Sequence, residues 1–506
     1  MPAIPVLSPA ALRTWESATW DAGIKPSDVI QRVGRALAAT LRDRLPAGSR
    51  VLLLCGRGHN GDDARAALPH LSPYEVVSLD VTDPADTLPA IEDELRRAPD
   101  LIVDALFGIG LNRPLDVAWV TLFERINRTA IPVLAVDIPS GLNAADGSHF
   151  GAVLRADQTL TVGAPKTGLL TAAAVPFVGR LSVAVDVGLI PWEQAGIASN
   201  DIAGFLINRA DVLTTPPARP IDAHKGNFGH LLILAGSRGF HGAAVLAARA
   251  ALRAGPGHVT VWTSPDTYIP IASQLASPMV HPWEPGLPIP QRTTCIVAGP
   301  GLADPRLDPR LHAQIVEAWR SSPAAMVVDA SALDDLPPGP VKDPAIRVIT
   351  PHPGEAARLL GTHPERIQAE RCEALESLCG RFAGAWVVLK GHATLTGRAG
   401  EKPWWNLTGN PGLAQGGSGD VLAGFLGGLL AQPAIASDPG RAIRSAVHLH
   451  GLAADRLTQT GRAWTTEDLA VEIGCHGRNR TKAAVDGGFP PPVRQPDCPH
   501  AGDDAR

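Results

Sequence analysis

The sequence predicts an α/β protein with mostly parallel, covered sheets, in two domains of different fold joined in series. Three observations predict it. Short apolar runs alternate with helix-length segments along the chain. The runs end in glycine-containing turns. A proline-rich stretch at 212–222, VLTTPPARPID, can continue neither a helix nor a central strand and so marks a boundary. The predicted strands of the first half are 51–55, 75–81, 101–104, 133–137, 159–162 and 181–186; those of the second are 231–235, 258–262, 295–298, 326–329, 347–350 and 386–390. A strand covered on both faces reads as a continuous apolar run rather than an alternating one. Ligand sites in such sheets lie beyond the C-terminal strand ends. The two halves share no evident repeat. The expected domains are therefore 1–213 and 214–487, and the segment 488–506, rich in proline and charge, is expected to be a disordered tail.

Bulk composition narrows the function classes. The 506 residues are 45% hydrophobic and 19% charged, enough for each half to bury its own core. The formal net charge of −5 opposes a nucleic-acid-binding face, which is normally basic. The six cysteines form no CxxC pair and are read as reduced, in a cytoplasmic protein. The opening residues MPAIPVLSPAAL lack a basic region and a long apolar core, which argues against a signal peptide. No uninterrupted apolar run approaches the ~18 residues of a membrane span.

In the first half, the first strand runs into Gly56-Arg57-Gly58-His59-Asn60-Gly61-Asp62-Asp63. A glycine-rich turn ahead of a helix presents bare N–H groups suited to a phosphate, although a lone turn of this kind is equally a simple structural connection. Three further strand ends carry polar groups beside glycines: Asp104 to Pro114 (DALFGIGLNRP), Asp137 to Asn143 (DIPSGLN), and Gly163 to Gly168 (GAPKTG). Asn60, Asp104 and Ser140 offer only oxygen, which suits a hard cation rather than zinc.

In the second half, the segment 408–420, TGNPGLAQGGSGD, leads into VLAGFLGGLL, whose apolar residues follow helical spacing. A helix therefore begins near Ser418–Asp420, directly after glycines, and its positive end forms an anion hole for a phosphoryl group. Asp420 can take a proton from a hydroxyl as it attacks phosphorus, or simply cap the helix. Strand ends supply company: Lys390 to Thr394 (KGHAT), Pro351 to Glu355 (PHPGE), Gly299 to Leu302 (GPGL), and Lys225 to His230 (KGNFGH) ahead of a further glycine turn.

These residues carry a resemblance in each half. Residues from roughly 8 to 212 resemble the NAD(P)H-hydrate epimerase domain, which implies a Rossmann-like three-layer fold that interconverts R and S hydrates. By that resemblance Asn60, Asp104 and Ser140 would hold potassium. His59, Asn60, Gly61, Asp62 and Asp63 would contact the hydrate, as would Gly108, Ile109, Gly110, Leu111, Asn112, Arg113, Pro114 and Asp137. Asp137 would transfer the proton. The family turn reads GxGNNGGDG, and here His59, Asp62 and Ala64 replace three of its residues; Asp62 brings negative charge to a turn expected to receive a pyrophosphate. Gln31 stands where the family has an acidic residue.

Residues from roughly 215 to 480 resemble the ADP/ATP-dependent NAD(P)H-hydrate dehydratases of the ribokinase-like superfamily, with KGxFGH, GPGL, TPHPGE, KGxxT and GNPGxAxGGxGDVLxG standing in order. This resemblance implies that Lys390, Gly391, His392, Ala393, Thr394 and Gly419 hold the adenine nucleotide. It implies that Ala243, Gly301, His352 and Asp420 contact the hydrate, with Asp420 activating its hydroxyl. The co-substrate would be ADP, with magnesium, and the substrates NADHX and NADPHX, in a homo-oligomer with no nucleic-acid or membrane partner. Ser331 replaces an aspartate common in the family. The competing expectations are a ribokinase-superfamily small-molecule kinase, and a dehydratase joined to a non-catalytic N-terminal binding module.

Overall fold

The computed structural model describes residues 3–213, 219–341 and 345–475. The expected tail, 488–506, lies outside the described residues, as does part of the proline-rich stretch. Within the described residues the chain forms two compact units, one spanning Leu7–Ile202 and the other Ala203–Cys475 together with the described residues before Leu7.

The strands of the first half are β1 (Ile4–Leu7), β2 (Arg50–Cys55), β3 (Glu75–Asp80), β4 (Leu101–Ala105), β5 (Val133–Val136), β6 (Gln158–Val162) and β7 (Arg180–Ala184). Six of them form a parallel sheet in the order β3-β2-β4-β5-β6-β7. Successive side chains of a strand face opposite ways. Leu53 therefore packs with Val33, Leu37 and Leu41 of the helix Pro26–Arg44, while Leu52 and Leu54 pack with Phe123 and Ile126 of the helix Val117–Asn127. Burial on both faces is why these strands read as unbroken apolar runs. Strand order reverses between β2 and β4, the switch point where open α/β sheets leave a crevice.

The second unit adds β8 (Ile202–Leu206), β9 (His230–Leu234), β10 (His258–Thr263), β11 (Met279–Pro282), β12 (Cys295–Ala298), β13 (Ala325–Val328), β14 (Arg347–Ile349), β15 (Trp386–Leu389), β16 (Leu395–Arg398) and β17 (Trp404–Trp405). Its sheet runs β1-β8-β17-β16-β15-β14-β13-β12-β9-β10-β11. The portion from β15 to β11 is parallel, and β16 pairs antiparallel with both neighbours. All twelve predicted strands form, each within two residues of its expected ends. The additions β1, β8, β11, β16 and β17 are short, and β8 pairs with β17, which places Ala203 and its followers in the second sheet ahead of the proline-rich stretch.

The helix Ser418–Leu430 lies across this sheet, buried from Val421 to its end. A Cβ on Gly424 would sit 2.0 Å from the Ala247 carbonyl oxygen, and one on Gly427 2.2 Å from Val297 Cγ2. Those glycines let the helix approach the helix His241–Ala254 and the sheet at backbone distance, which fixes where its N-terminus points. Among the described residues no helix is long and apolar enough to cross a membrane, and Cys55, Cys295, Cys372, Cys379 and Cys475 are free thiols.

Candidate functional site

Each unit carries its own cluster at C-terminal strand ends. In the first, a cleft of about 700 Å³ opens at the β2/β4 switch point. Of the expected hydrate-binding residues, His59, Asn60, Asp63, Gly108, Ile109, Gly110, Leu111, Asn112, Arg113 and Asp137 line it. Gly61, Asp62 and Pro114 do not. Gly61 serves the turn itself, because a Cβ there would lie 2.1 Å from the Gly56 carbonyl oxygen. Asp62 accepts from Arg65 Nη1 at 2.7 Å, and the same guanidinium reaches the Gly56 carbonyl at 2.7 Å and Asp80 at 2.9 Å. The Asp62 charge is thus paired with Arg65 and lies off the cleft wall. Gln31 is exposed on its helix and is not part of the lining.

Asp137 follows β5 with φ of +65°, a left-handed backbone rare for a side-chain-bearing residue and frequent at functional sites. Its Oδ1 accepts from Lys166, which is fully buried, and from the Val162 amide at 3.1 Å. Lys166 Nζ also donates to Thr161 Oγ1 at 2.9 Å and to the Val162 carbonyl at 3.1 Å. The other oxygen, Oδ2, faces the space that Gly108 leaves open, where a Cβ would come within 3.6 Å. Asp63 stands in the same cleft, its carboxyl pushed up to about 8 by burial and then by the charges of Asp137 and Asp62. Glu16, from the helix Pro9–Asp21, also lines the cleft and is raised by burial and by Asp137. The raised carboxyl of Asp63 thus shares the cleft with Asp137, which is ion-paired with Lys166. Sequence reasoning missed Glu16, which no motif contains, and passed over Lys166, whose GAPK turn was visible but whose burial was not.

The three expected cation ligands are gathered around Phe107. Ser140 Oγ accepts the Phe107 amide at 2.9 Å, and Asn60 Nδ2 donates to the Phe107 carbonyl at 3.0 Å. Asp104, fully buried, accepts the Ser140 amide at 2.8 Å and its hydroxyl at 2.6 Å, yet burial still pushes its carboxyl up to about 6. Asn60 Oδ1 is buried without a hydrogen-bond partner. An orphaned amide oxygen, a buried carboxylate and a hydroxyl form an oxygen-only donor set, which suits a hard cation.

In the second unit, Gly417 (φ +97°) opens the helix Ser418–Leu430, and Asp420 stands in its first turn. Burial pushes the Asp420 carboxyl up to about 7, with Asp329 adding to the rise and Lys390 opposing it. Lys390 Nζ donates to Asp329 Oδ1 at 2.6 Å and lies 3.8 Å from Glu355 Oε2. Thr350 also donates to Asp329 Oδ1, at 2.8 Å. The pair lies at the helix N-terminus: a Cβ on Gly419 would be 3.4 Å from Lys390 Nζ and 3.7 Å from Asp329 Oδ2. The ends of β13, β14 and β15 and the glycine-preceded helix thus converge as their motifs predict.

His352 caps the helix Pro353–Leu360, its Nδ1 accepting the amides of Gly354 at 3.0 Å and Glu355 at 3.3 Å. Its backbone amide donates to Glu355 Oε2 at 2.7 Å, which aims that carboxylate toward Lys390. The turn Gly391–Thr394 is tight: Gly391 has φ of +129° and Ala393 of +48°, and Thr394 closes it on the Gly391 carbonyl at 2.9 Å. His392 within it is lowered by burial and by Arg371. Gly301 (φ +67°) and Ala243, both expected to border the hydrate, lie side by side: a Cβ at 301 would be 2.9 Å from the Ala243 Cβ. Ser331 donates to the Leu302 carbonyl at 2.7 Å and so staples the GPGL turn, while Asp329 keeps the ion pair. The KGNFGH segment lies elsewhere. It forms the turn Lys225–Phe228 before the N-terminal end of β9, where a Cβ on Gly257 would fall 1.7 Å from the Lys225 carbonyl. Within the segment, a Cβ on Gly229 would lie 1.8 Å from the Ala431 carbonyl oxygen, so that glycine is required by the packing. Among the described residues no group of three or more His, Cys, Asp or Glu side chains is placed to hold a metal ion.

The sequence matches the family profile described as NAD(P)H-hydrate dehydratase over residues 231–474 and that of the YjeF-related protein N-terminus over 26–87 and 75–168. The bifunctional NAD(P)H-hydrate repair enzyme Nnr of Coxiella burnetii is 32% identical over 482 residues, covering 89% of this chain and 94% of that protein. The Escherichia coli enzyme of the same name is 36% identical, covering 89% of this chain and 88% of its own length. Among solved structures, the ADP/ATP-dependent NAD(P)H-hydrate dehydratase of Bacillus subtilis, co-crystallized with ATP/Mg2+, is 30% identical and aligns with 51% of this chain and 91% of its own, at a TM-score of 0.46. With both profiles in order and relatives matched along nearly their whole length, the chain belongs to the family of bifunctional NAD(P)H-hydrate repair enzymes.

Proposed function

We propose that this chain restores hydrated nicotinamide cofactors: the first unit equilibrates the R and S hydrates, and the second dehydrates the S form at the expense of ADP. The observation that carries the dehydratase reading is the meeting of Asp420, Lys390 and Asp329 at one glycine-preceded helix N-terminus. Asp420, as a carboxylate, takes the proton of the ring hydroxyl while that oxygen attacks the terminal phosphorus of the nucleotide. The phosphoanhydride bond breaks and its electrons leave with AMP. First-turn N–H groups and Lys390 meet the charge of the moving phosphoryl. The ring nitrogen then expels phosphate, and loss of a proton from the neighbouring carbon restores the double bond. Gly391, His392, Ala393 and Thr394 form the turn for the nucleotide, and Ala243, Gly301 and His352 border the hydrate. Among the described residues no carboxylate group is placed to hold magnesium by itself, and magnesium would be carried mainly by the nucleotide phosphates.

In the first unit, Asp63 donates a proton to the departing hydroxyl as the carbon–oxygen bond breaks, with the ring nitrogen lone pair filling the vacancy. Water returning on the opposite face gives its proton to Asp137, which Lys166 orients. Asn60, Asp104 and Ser140 would hold potassium, which supplies a fixed positive charge beside the cleft. The test is to mix the full chain with S hydrate, magnesium and ADP and follow absorbance at 340 nm. Recovery is expected, and none with either ADP or ATP would sink the dehydratase reading.

A further inference from the structure

The helix Pro439–Gln459 passes beneath the dehydratase site and contributes a buried histidine that no motif contains. His450 Nε2 lies 2.9 Å from the Ser418 carbonyl oxygen. A carbonyl only accepts, so the ring must carry its hydrogen on Nε2. Burial, with the Lys390 charge nearby, lowers the ring to about 4, so it stays neutral at working pH. The carbonyl it holds belongs to the peptide unit whose N–H is that of Gly419, at the centre of the site beside Lys390 and Asp329.

We propose that His450 is a positioning residue of the dehydratase: by donating Nε2–H to the Ser418 carbonyl it fixes and polarises the peptide unit that presents the Gly419 N–H to the phosphoryl group in transfer. The proposal rests on the dehydratase reading. Hydrogen bonds in series polarise one another, so an amide whose carbonyl is already engaged is a stronger donor. A donor aimed where charge develops acts on the transition state more than on the ground state. Ser418 is held from its other side too, its hydroxyl donating to the Leu413 carbonyl at 2.8 Å. His450 therefore acts on a turn already restrained, and its own share is electronic as well as steric.

The experiment compares His450→Leu and His450→Gln in the full chain. His450→Leu is expected to lower kcat on the order of tenfold, the worth of one hydrogen bond, with the KM for ADP within about twofold. His450→Gln, whose amide can reach the same carbonyl, should recover kcat to within about threefold. Equal losses in both folded variants, or a lower melting temperature with unchanged kcat, overturn the proposal. If the leucine variant does not fold, the glutamine variant decides: a third or more of kcat supports the proposal, and a folded protein with a tenfold loss refutes it. Nitrogen-15 spectra of the histidine-labelled chain give a readout independent of turnover, with a neutral Nε2–H ring expected at pH 6 and an Nδ1–H tautomer or a charged ring overturning it. A wild-type chain inactive with ADP would remove the dehydratase reading, while the tautomer would still be decided by the spectrum.

Discussion

Replacing Asp420 by asparagine keeps the shape of the side chain at the helix N-terminus and removes only its ability to take a proton. General bases contribute about 10²–10⁴-fold, so kcat should fall by that factor, about 2.7–5.5 kcal/mol in the barrier. The structure sets the pH profile as well. With the carboxyl pushed up to about 7, the ionised fraction falls about tenfold from pH 8 to pH 6, and the wild-type rate should fall with it. The residual rate of Asp420→Asn should be flat over that range. Stability should move the other way. A carboxyl raised above its unfolded value of 3.8 favours folding in its protonated form, and this advantage is lost as pH rises to about 7. Above that pH the wild type holds a carboxylate disfavoured by burial and by Asp329, and Asp420→Asn should melt at the same temperature or higher. The assay is the 340 nm recovery with saturating ADP, with nucleotide affinity measured separately by calorimetry and expected to be kept. A variant that turns over within about threefold of wild type would refute the assignment of the base.

Four other outcomes follow from the geometry. Lys166→Met leaves Asp137 without its buried partner, so the melting free energy should fall by about 3–5 kcal/mol, and chromatography should show no equilibration of R and S hydrates. Asp62→Gly should leave that equilibration within about twofold of wild type, because Asp62 pairs with Arg65 off the cleft wall; a large gain would show that its charge does oppose the ligand. Gly424→Ala should cost about 1–3 kcal/mol in chemical denaturation, since its Cβ would meet the Ala247 carbonyl at 2.0 Å. Exchanging potassium for a bulky organic cation should slow epimerisation, with recovery on adding potassium back, and an unchanged rate would contradict the roles of Asn60, Asp104 and Ser140.

Much of this was legible because its causes are local. Two-sided burial makes parallel strands continuous apolar runs, and Gly56, Gly299 and Gly417 mark turns at strand or helix ends. The clusters at Asp137 and Asp420 could therefore be placed at the right ends of the right strands. What escaped depends on residues distant in sequence. Strands β16 and β17 are too short and mixed to signal themselves; they exist because β15 and β8 offer partners. Lys166 stands in a strand-end turn visible in the sequence, but only the fold buries it beside Asp137. Glu16 and His450 sit in helices with no motif, and tertiary packing alone aims them at a site. Asp62 reads as a charge at odds with a phosphate turn because the sequence does not show that Arg65, three residues on, turns toward it. The KGNFGH segment packs at the other end of β9, where Gly229 and Gly257 allow backbone-distance approaches that a motif alone does not announce.

The most direct test of two linked repair activities starts from the resolved R hydrate. The full chain, with ADP, magnesium and potassium, should convert it completely and restore the 340 nm absorbance of the reduced cofactor. With Asp420→Asn the same R hydrate should instead relax to a mixture of R and S with little recovery. An R hydrate that stays unchanged while the S form is consumed would contradict a working epimerase in the first unit, and equal, ADP-independent recovery from both would contradict the dehydratase in the second.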